Sequence, residues 1–360
     1  MKNEKTIRVA VNGLGRIGRA FLRAVQEKGE RGEMGERGIE IVAVNDLMPR
    51  ENAEYLLRYD SVYRSQTSAD NHADRRGKEL EGVAYLSEKE PAKLPWKELD
   101  IDVVVEATGF FASAEKAKAH LDAGAKRVVI TAPLKESRSD LSLAPRSDLK
   151  AETVLMGLNE EKLKECRITS NGSCTTNAAS PIIAILDEAL GIEKALLNTV
   201  HAYTATQSLV DSPAGKKGMR EGRAAAVNIV PSSTGAAIAV TKAYPKLAGL
   251  FDGISLRVPV ICGSIADITF IAKRDTTAEE VNEILRTAAK QPRWRGIFSA
   301  SDDELVSSDI IGSAEGAIAE LSMTRVAGGN LVKVLAWYDN EAGYANTLLQ
   351  HVLAVGKLIS

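Results

Sequence analysis

The chain has 360 residues, of which 44% are hydrophobic and 26% charged, values typical of a soluble globular protein of two domains. With 46 Lys and Arg against 48 Asp and Glu, and only 5% aromatic residues, no general basic surplus argues for nucleic acid as a partner. Because the apolar runs are short or interrupted, the start is polar, and three cysteines form no disulfide framework, we expect a cytoplasmic protein without a membrane partner.

A glycine-rich turn follows the first predicted strand, residues 7–12. Gly13, Gly15 and Gly18 form a G-x-G-x-x-G pattern that opens a helix predicted over 16–28. The first glycine permits a tight turn, the second lets the backbone approach a pyrophosphate, and the third lets the helix pack on the strand. Glycines also serve ordinary turns, so the pattern needs its surroundings to indicate dinucleotide binding.

The second predicted strand, residues 39–45, ends in Asp46. A carboxylate there can accept hydrogen bonds from an adenosine ribose and repel a 2′-phosphate, which favours NAD over NADP. The alternative is an aspartate that only caps the next helix. A Gly/Glu/Arg-rich run at 27–38 lengthens the usual spacing and is interpreted as a solvated insertion.

Strands and helices continue to alternate through the first half of the chain. The pattern predicts strands over 101–106, 127–130, 153–157 and 166–169, helices over 53–59 and 113–124, an irregular loop over 60–82 and an insertion over 134–152. Such alternation predicts a doubly wound parallel sheet of the Rossmann type. Ligands then collect at the carboxyl ends of the strands, where Gly13, Asp46, Thr108 and Thr131 fall.

A cysteine, Cys174, lies among small hydroxyl and amide residues at 170–177, between the strand at 166–169 and a helix-like run at 181–190. A thiol at the start of a helix faces unpaired backbone N–H groups, which lower its pKa and make it a better nucleophile. Judged from this segment alone, a small buried cysteine in a turn is an equally good interpretation.

The second half has longer strands with helices set apart. Its predicted elements are strands over 196–202, 254–260, 266–272 and 331–337, helices over 235–244 and 277–289, and a closing helix over 344–358. This arrangement of long strands and separate helices predicts an α+β catalytic domain with a large, mostly antiparallel sheet. We therefore expect a cofactor domain over 1–172, completed by 338–360, and a catalytic domain over 173–337.

Several polar side chains could act with Cys174. His201 ends a predicted strand and could hold the thiol as thiolate and transfer a proton, although a hydrogen-bonded structural histidine is the alternative. Arg257 in an apolar strand requires an anionic partner, either a carboxylate or a substrate phosphate. Thr234 and Gly235 start a helix whose N–H groups could bind a further anion. His72 and His120 are interpreted as structural, and no metal site is expected because CxxC and HExxH spacings do not occur.

Seven segments together resemble phosphorylating glyceraldehyde-3-phosphate dehydrogenases, in order over nearly the whole chain. They are residues 12–19, 45–46, 59–61, 170–177, 201–207, 257–259 and 337–341. The resemblance implies that Cys174 attacks the aldehyde of D-glyceraldehyde 3-phosphate, that His201 acts as the base, and that inorganic phosphate cleaves the thioester to give 1,3-bisphosphoglycerate. It also implies a homotetramer with NAD as cofactor.

The same resemblance implies roles for further residues. For the cofactor these are Gly13, Gly15, Arg16, Ile17, Gly18, Asp46, Lys89, Thr131 and Asn340. For the phosphate groups they are Thr204, Thr206 and Arg257 on the substrate, with Ser173, Thr175, Arg223, Thr234 and Gly235 around the incoming phosphate.

The chain departs from the family pattern at a few positions. Gly172 and Ala178 replace the usual alanine and second cysteine of the nucleophile motif, and Ile238 stands where lysine is common. The loop at 208–223 is about one residue longer than expected, which affects the register of Arg223. Two alternatives remain at this point: an erythrose-4-phosphate dehydrogenase, which would hydrolyse the thioester, and a catalytically silent nucleotide-binding protein on the same scaffold.

Overall fold

The computed structural model describes the chain in five stretches, which form two units. The described residues are 6–34, 37–63, 80–135, 150–213 and 218–359. The first unit comprises residues 1–156, 160–172 and 348–360, and the second comprises 157–159 and 173–347. His72 and most of the predicted insertion at 134–152 lie outside the described residues. None of the described helices combines the length and hydrophobicity needed to cross a bilayer.

The first unit contains a parallel sheet. Within the described ranges its seven strands are β1 (Ile7–Asn12), β2 (Ile39–Asn45), β3 (Ala84–Leu86), β4 (Val103–Glu106), β5 (Arg127–Ile130), β6 (Ala151–Thr153) and β7 (Ile168–Ser170). Their spatial order is β3-β2-β1-β4-β5-β7-β6. Strand order therefore reverses between β1 and β4, which confirms the doubly wound topology and places a ligand-binding crevice at the ends of these two strands.

The strand ends at this reversal point are polar, and the pairing register brings them side by side. Asn12, the last residue of β1, pairs with Asn45 of β2 on one side and with Glu106 of β4 on the other. All three side chains are buried. Buried polar groups must be hydrogen-bonded, so this row is a fixed part of the fold.

The first unit also contains the helices α1 (Arg16–Glu30), α2 (Arg50–Arg58) and α3 (Ala114–Asp122). Helix α1 contacts β2, and α3 contacts β5 and β7. The helix predicted over 113–124 is present as α3, and Ser113 caps it by accepting a hydrogen bond from the Lys116 amide. One apolar core forms around Trp96, Ile101 and Val104, all without exposed surface. The short strand β3 was not predicted, because three residues are too few to display a hydrophobic pattern. The strand predicted over 153–157 is misplaced, because β6 ends at Thr153 and residues 154–157 form no strand.

The second unit contains a mixed sheet that is mostly antiparallel, as predicted. Within the described ranges its strands are β8 (Ile192–Ala202), β9 (Val230–Ser233), β10 (Phe251–Val258), β11 (Ser264–Ala272), β12 (Phe298–Ser301), β13 (Ala317–Ala327) and β14 (Leu331–Tyr338). The order is β12-β13-β14-β11-β8-β10-β9, and only β8–β10 and β12–β13 pair in parallel. Strands β9, β12 and β13 were not predicted.

Helices α4 (Cys174–Leu190), α5 (Ala236–Ala243) and α6 (Ala278–Ala289) pack on this second sheet. The central helix, α4, contacts β8, β11, β13 and β14 and is buried along most of its length. A last helix, α7 (Ala342–Gly356), closes the chain. The insertion at 27–38 is tied to the chain end, because Arg37 Nη1 donates to the carbonyls of Gly356 and Ile359 at 2.9 and 2.8 Å.

His351 of α7 is a fully buried residue. Its Nε2 lies 2.8 Å from the Thr169 hydroxyl, and its Nδ1 lies 3.2 Å from Oδ1 of Asn171. Burial lowers the pKa of His351 from 6.5 to about 3. The ring is therefore neutral in the folded protein and joins the last helix to the segment that precedes Cys174.

We expect the free energy of unfolding to decrease as pH falls from 6.5 towards 3, because the unfolded His351 takes up a proton that the folded one excludes. Uptake of this one proton lowers the free energy of unfolding by up to ~5 kcal/mol at the acid end of this pH range. In His351→Gln the free energy of unfolding should depend less steeply on pH. Urea unfolding followed by circular dichroism at several pH values measures this, and an unchanged slope in His351→Gln would contradict it.

Candidate active site

The segment around Cys174 owes its shape to a helix start. Ser173 is the N-cap of α4: its hydroxyl accepts from the Thr176 amide, and the Thr176 hydroxyl accepts from the Ser173 amide, both at 3.1 Å. This capping box fixes Cys174 as the first helical residue. The helix thus begins seven residues before the apolar run at 181–190 suggested, and Pro181 lies inside it.

His201 lies beside the thiol. It sits near the end of β8, and its Nε2 is 3.3 Å from Sγ of Cys174. Its Nδ1 is 2.6 Å from the carbonyl of Ala202, which can only accept a hydrogen bond. Nδ1 also lies 2.5 Å from Nη1 of Arg257, which can only donate, so its two contacts favour opposite tautomers. With the proton on Nδ1, the Nε2 lone pair faces the thiol, and the pair is arranged for transfer of the thiol proton to His201.

The protonation of this pair differs from the sequence prediction. Burial raises the pKa of the Cys174 thiol, although Arg257 and hydrogen bonds involving Thr175 act in the opposite direction. Burial, and then the charge of Arg257, lower the pKa of His201 from 6.5 to about 3. The prediction of a lowered thiol pKa was wrong here because desolvation outweighs the helix terminus. At neutral pH the site holds a neutral thiol beside a neutral base.

Arg257 is held next to His201 by strand register. β10 runs parallel to β8, and Arg257 pairs directly with His201, so both side chains leave the same face of the sheet. Its Nη1 lies 2.5 Å from Nδ1 of His201 and donates to the Ala202 carbonyl at 3.1 Å. The guanidinium therefore brings a positive charge to the Cys174–His201 pair.

Tyr338 also lies beside His201, and the sequence analysis gave it no role. Its buried hydroxyl lies 2.9 Å from the Thr175 hydroxyl and 2.7 Å from that of Thr199. Its ring meets the His201 ring edge-on, with centroids 6.0 Å apart. Burial is the main cause of a pKa well above the usual tyrosine value, so the phenol remains protonated. The only sequence signal was its place in the motif at 337–341.

The other predicted phosphate-binding residues form separate groups. The hydroxyls of Thr204 and Thr206 lie 3.0 Å apart at the end of β8. Thr234 accepts from the Ala236 amide at 3.2 Å, and Gly235 is the N-cap of α5. Arg223 pairs instead with Asp211 at 3.0 Å, on the surface of the long loop.

In the first unit, the glycine turn has the predicted geometry. Gly13 has φ +102°, and a Cβ there would lie 2.8 Å from the Thr108 amide nitrogen. A Cβ on Gly18 would lie 2.0 Å from the Gly13 carbonyl oxygen, so only glycine lets α1 pack this closely. At Gly15 a Cβ would meet nothing within 4 Å, and no side chain caps α1. An open turn before an uncapped helix fits a dinucleotide pyrophosphate.

The remaining predicted cofactor residues belong to the first unit, with one exception. Asp46 accepts from the amides of Leu14 at 2.6 Å and Met48 at 2.9 Å. A carboxylate offers about four acceptor positions, so it can still bind ribose hydroxyls. The exception is Asn340, which belongs to the second unit and accepts from the Ser264 hydroxyl at 3.0 Å.

Other members of the cofactor set are placed as follows. Arg16 forms an ion pair with Asp60 at 2.8 Å, and Ile17 lies in the first turn of α1. Thr131, just after β5, donates through its hydroxyl to the Glu106 carbonyl at 3.1 Å. Lys89 is exposed and follows Glu88, whose backbone binds the Asn45 side chain.

The cysteines and acidic residues form no other reactive centre in the described part of the chain. No group of three or more histidine, cysteine or acidic residues there could hold a metal ion. Cys166, Cys174 and Cys262 are free thiols. Ala178 is fully buried one turn after Cys174 in α4, at the position where the resemblance implies a second cysteine.

Sequence models of a known family match both units. A model described as the NAD binding domain of glyceraldehyde 3-phosphate dehydrogenase matches residues 7–114, and one described as its C-terminal domain matches 173–340.

Full-length relatives carry the same name. The chain is 44% identical over 347 residues to glyceraldehyde-3-phosphate dehydrogenase of Thermotoga maritima, covering 95% of this chain and 97% of the relative. It is 42% identical to that of Mycobacterium avium over 360 residues, covering 98% and 99%. Glyceraldehyde-3-phosphate dehydrogenase 2 of Streptomyces avermitilis is 41% identical over 355 residues, covering 98% and 99%.

Proposed function

Because the chain belongs to the glyceraldehyde-3-phosphate dehydrogenase family, we propose that Cys174 and His201 are its catalytic pair. As a member of that family it is an NAD-dependent oxidoreductase that acts on glyceraldehyde 3-phosphate. The observation that carries the assignment is the 3.3 Å distance between Sγ of Cys174 and Nε2 of His201 at the start of α4. The comparisons give no support to an erythrose-4-phosphate dehydrogenase or to a silent nucleotide-binding protein.

In the proposed reaction, Sγ attacks the aldehyde carbon while the thiol proton passes to Nε2 and on to the aldehyde oxygen. This step gives a thiohemiacetal on Cys174. His201 then takes the hydroxyl proton as the hydride leaves carbon, and a thioester remains. Bound NAD supplies the hydride acceptor. Inorganic phosphate attacks the thioester carbonyl, and the C–S bond breaks to release 1,3-bisphosphoglycerate. The departing thiolate takes back the proton held by His201, and the proton of the phosphate passes to solvent, so the neutral thiol and imidazole are restored.

The anion sites are proposed from charge and position. Arg257, Thr204 and Thr206 would hold the substrate phosphate, and the charge of Arg257 beside His201 supports this role. Ser173, Thr175, Thr234, Gly235 and Arg223 would surround the incoming phosphate. Arg223 would have to leave Asp211, and their side chains are 61% and 59% exposed. Exposed pairs contribute only ~0–1 kcal/mol, so this exchange costs little.

The cofactor set is proposed to comprise the glycine turn, Arg16, Ile17, Asp46, Lys89, Thr131 and Asn340. We likewise propose that the first unit is the NAD-binding domain and that the second unit is the catalytic domain.

Assembly and location are also proposals. Leu196 and Ile254 leave 66% and 55% of their surface exposed on neighbouring strands β8 and β10, which supports covering of this sheet by further copies in a homotetramer. The three free thiols support a reducing compartment such as the cytoplasm.

Steady-state kinetics test the proposed function. NADH formation from D-glyceraldehyde 3-phosphate should require inorganic phosphate for sustained turnover, and NAD should be used in preference to NADP because of Asp46. Erythrose 4-phosphate serves as the comparison substrate. Faster turnover of erythrose 4-phosphate, without any need for phosphate, would contradict the phosphorylating reaction.

A further inference from the structure

A buried carboxylate, Glu106, lies at the reversal point of the first sheet. It ends β4 and has only 1% of its surface exposed. Its Oε2 accepts from Asn12 Nδ2 at 2.6 Å, and its Oε1 accepts from the Thr108 amide at 2.9 Å and from the Thr108 hydroxyl. Glu106 therefore joins the end of β1 to the turn that follows β4.

His120 of α3 supplies a further hydrogen-bond donor to Glu106, and its tautomer is fixed by a tryptophan. The fully buried ring places Nε2 2.9 Å from Oε2 of Glu106, and Trp96 Nε1 donates to its Nδ1 at 3.0 Å. An indole N–H can only donate, so Nδ1 must accept and the ring proton must be on Nε2. His120 therefore donates from Nε2 to Glu106.

The network continues on the other side to the glycine turn. Asn45 Nδ2 donates to Asn12 Oδ1 at 2.7 Å, and the Asn45 carbonyl accepts from the Gly13 amide at 2.8 Å. Gly13 also packs against the Thr108 amide, because a Cβ on Gly13 would lie only 2.8 Å from the Thr108 nitrogen. The glycine turn thus rests on groups that Glu106 holds in place on two sides.

We propose that His120 and Glu106 are positioning residues for NAD binding: together they fix the Gly13–Gly15 turn and the Thr108–Gly109 turn. Both side chains are buried, so they act through Asn12 and Thr108 and not by touching the cofactor. This role goes beyond the structural interpretation that sequence gave His120. It uses only the NAD binding of the family and does not depend on the phosphate sites or on the fate of the thioester.

Glu106→Gln tests the carboxylate. The two oxygens of Glu106 face four donor groups, two on each oxygen. An amide has one accepting oxygen and one NH₂ group, so either orientation points a donor at two other donors. Leaving buried donors unpaired is costly. We expect the dissociation constant for NAD to rise about tenfold or more, which corresponds to about 1.4 kcal/mol.

A matched pair at His120 separates positioning from packing. In His120→Gln the amide nitrogen can occupy the place of Nε2 and still donate to Glu106. In His120→Asn the amide oxygen can replace Nδ1 as the acceptor for Trp96, but the side chain is too short to reach Glu106. Positioning through Glu106 predicts NAD affinity within about twofold of wild type for the glutamine variant and about tenfold weaker for the asparagine variant.

Calorimetric titration of the full-length variants with NAD measures these affinities. Two controls accompany it: the melting temperature without cofactor, and the rate at which iodoacetamide alkylates Cys174 in the second unit, which should not change. Thr108→Val, which removes one donor to Glu106, decides the question if the other variants do not fold, with a few-fold weaker affinity expected. Wild-type affinity in folded Glu106→Gln or Thr108→Val, or equal losses in the two His120 variants, would overturn the proposal. Loss of phosphate dependence alone would not affect it.

Discussion

Replacing Cys174 by serine is expected to reduce NADH formation from glyceraldehyde 3-phosphate to background. A hydroxyl is far less acidic and far less nucleophilic than a thiol, so serine at this position cannot form the covalent adduct at a useful rate. The thioester that phosphate would cleave could not form. Steady-state assays at saturating NAD and phosphate measure the loss.

Cys166 offers the matched control for this experiment. It is a buried free thiol in the first unit, and burial raises its pKa to about 11. Cys166→Ser should therefore keep most of the activity, and it should still be alkylated once, at Cys174. Full dehydrogenase activity in Cys174→Ser would exclude covalent catalysis by this residue.

Replacing His201 by asparagine is expected to lower kcat by about 10²–10⁴, the usual contribution of a general base. Asparagine can still reach the Ala202 carbonyl in place of Nδ1, but it has no group at the position of Nε2. The lost function is then the base itself and not the local hydrogen bond.

The pH profile distinguishes this loss from a loss of structure. Because the pKa of His201 is lowered to about 3, the wild-type imidazole is available as a base throughout the neutral range. His201→Asn must use hydroxide or water, so its rate should rise steadily with pH. Activity within tenfold of wild type, with an unchanged profile, would contradict the role of His201.

The features that sequence predicted correctly are those set by neighbouring residues. Gly13 and Gly18 are required by one turn and one close approach, which lie within six residues of each other. Ser113 and its helix form a similarly local unit. The doubly wound sheet followed from alternation of elements, since each crossover needs a helix. Local rules suffice for such features.

The features that sequence missed depend on distant pairings or on burial. The hydroxyls of Thr175 and Tyr338 meet across 163 positions of the chain, and Trp96 meets His120 across 24. Spacing does not reveal such contacts. The direction of the Cys174 pKa shift likewise depends on how much protein surrounds the thiol, which the helix start alone does not indicate.

Ala178, buried one turn after Cys174, has a consequence for oxidative damage. A reactive cysteine oxidised by peroxide first becomes a sulfenic acid, which a nearby second thiol can trap as a reversible disulfide. In α4 that place holds a methyl group, so the helix offers no such partner. Recovery of the oxidised enzyme therefore depends on a small thiol from solution reaching Cys174 before further oxidation makes the damage permanent.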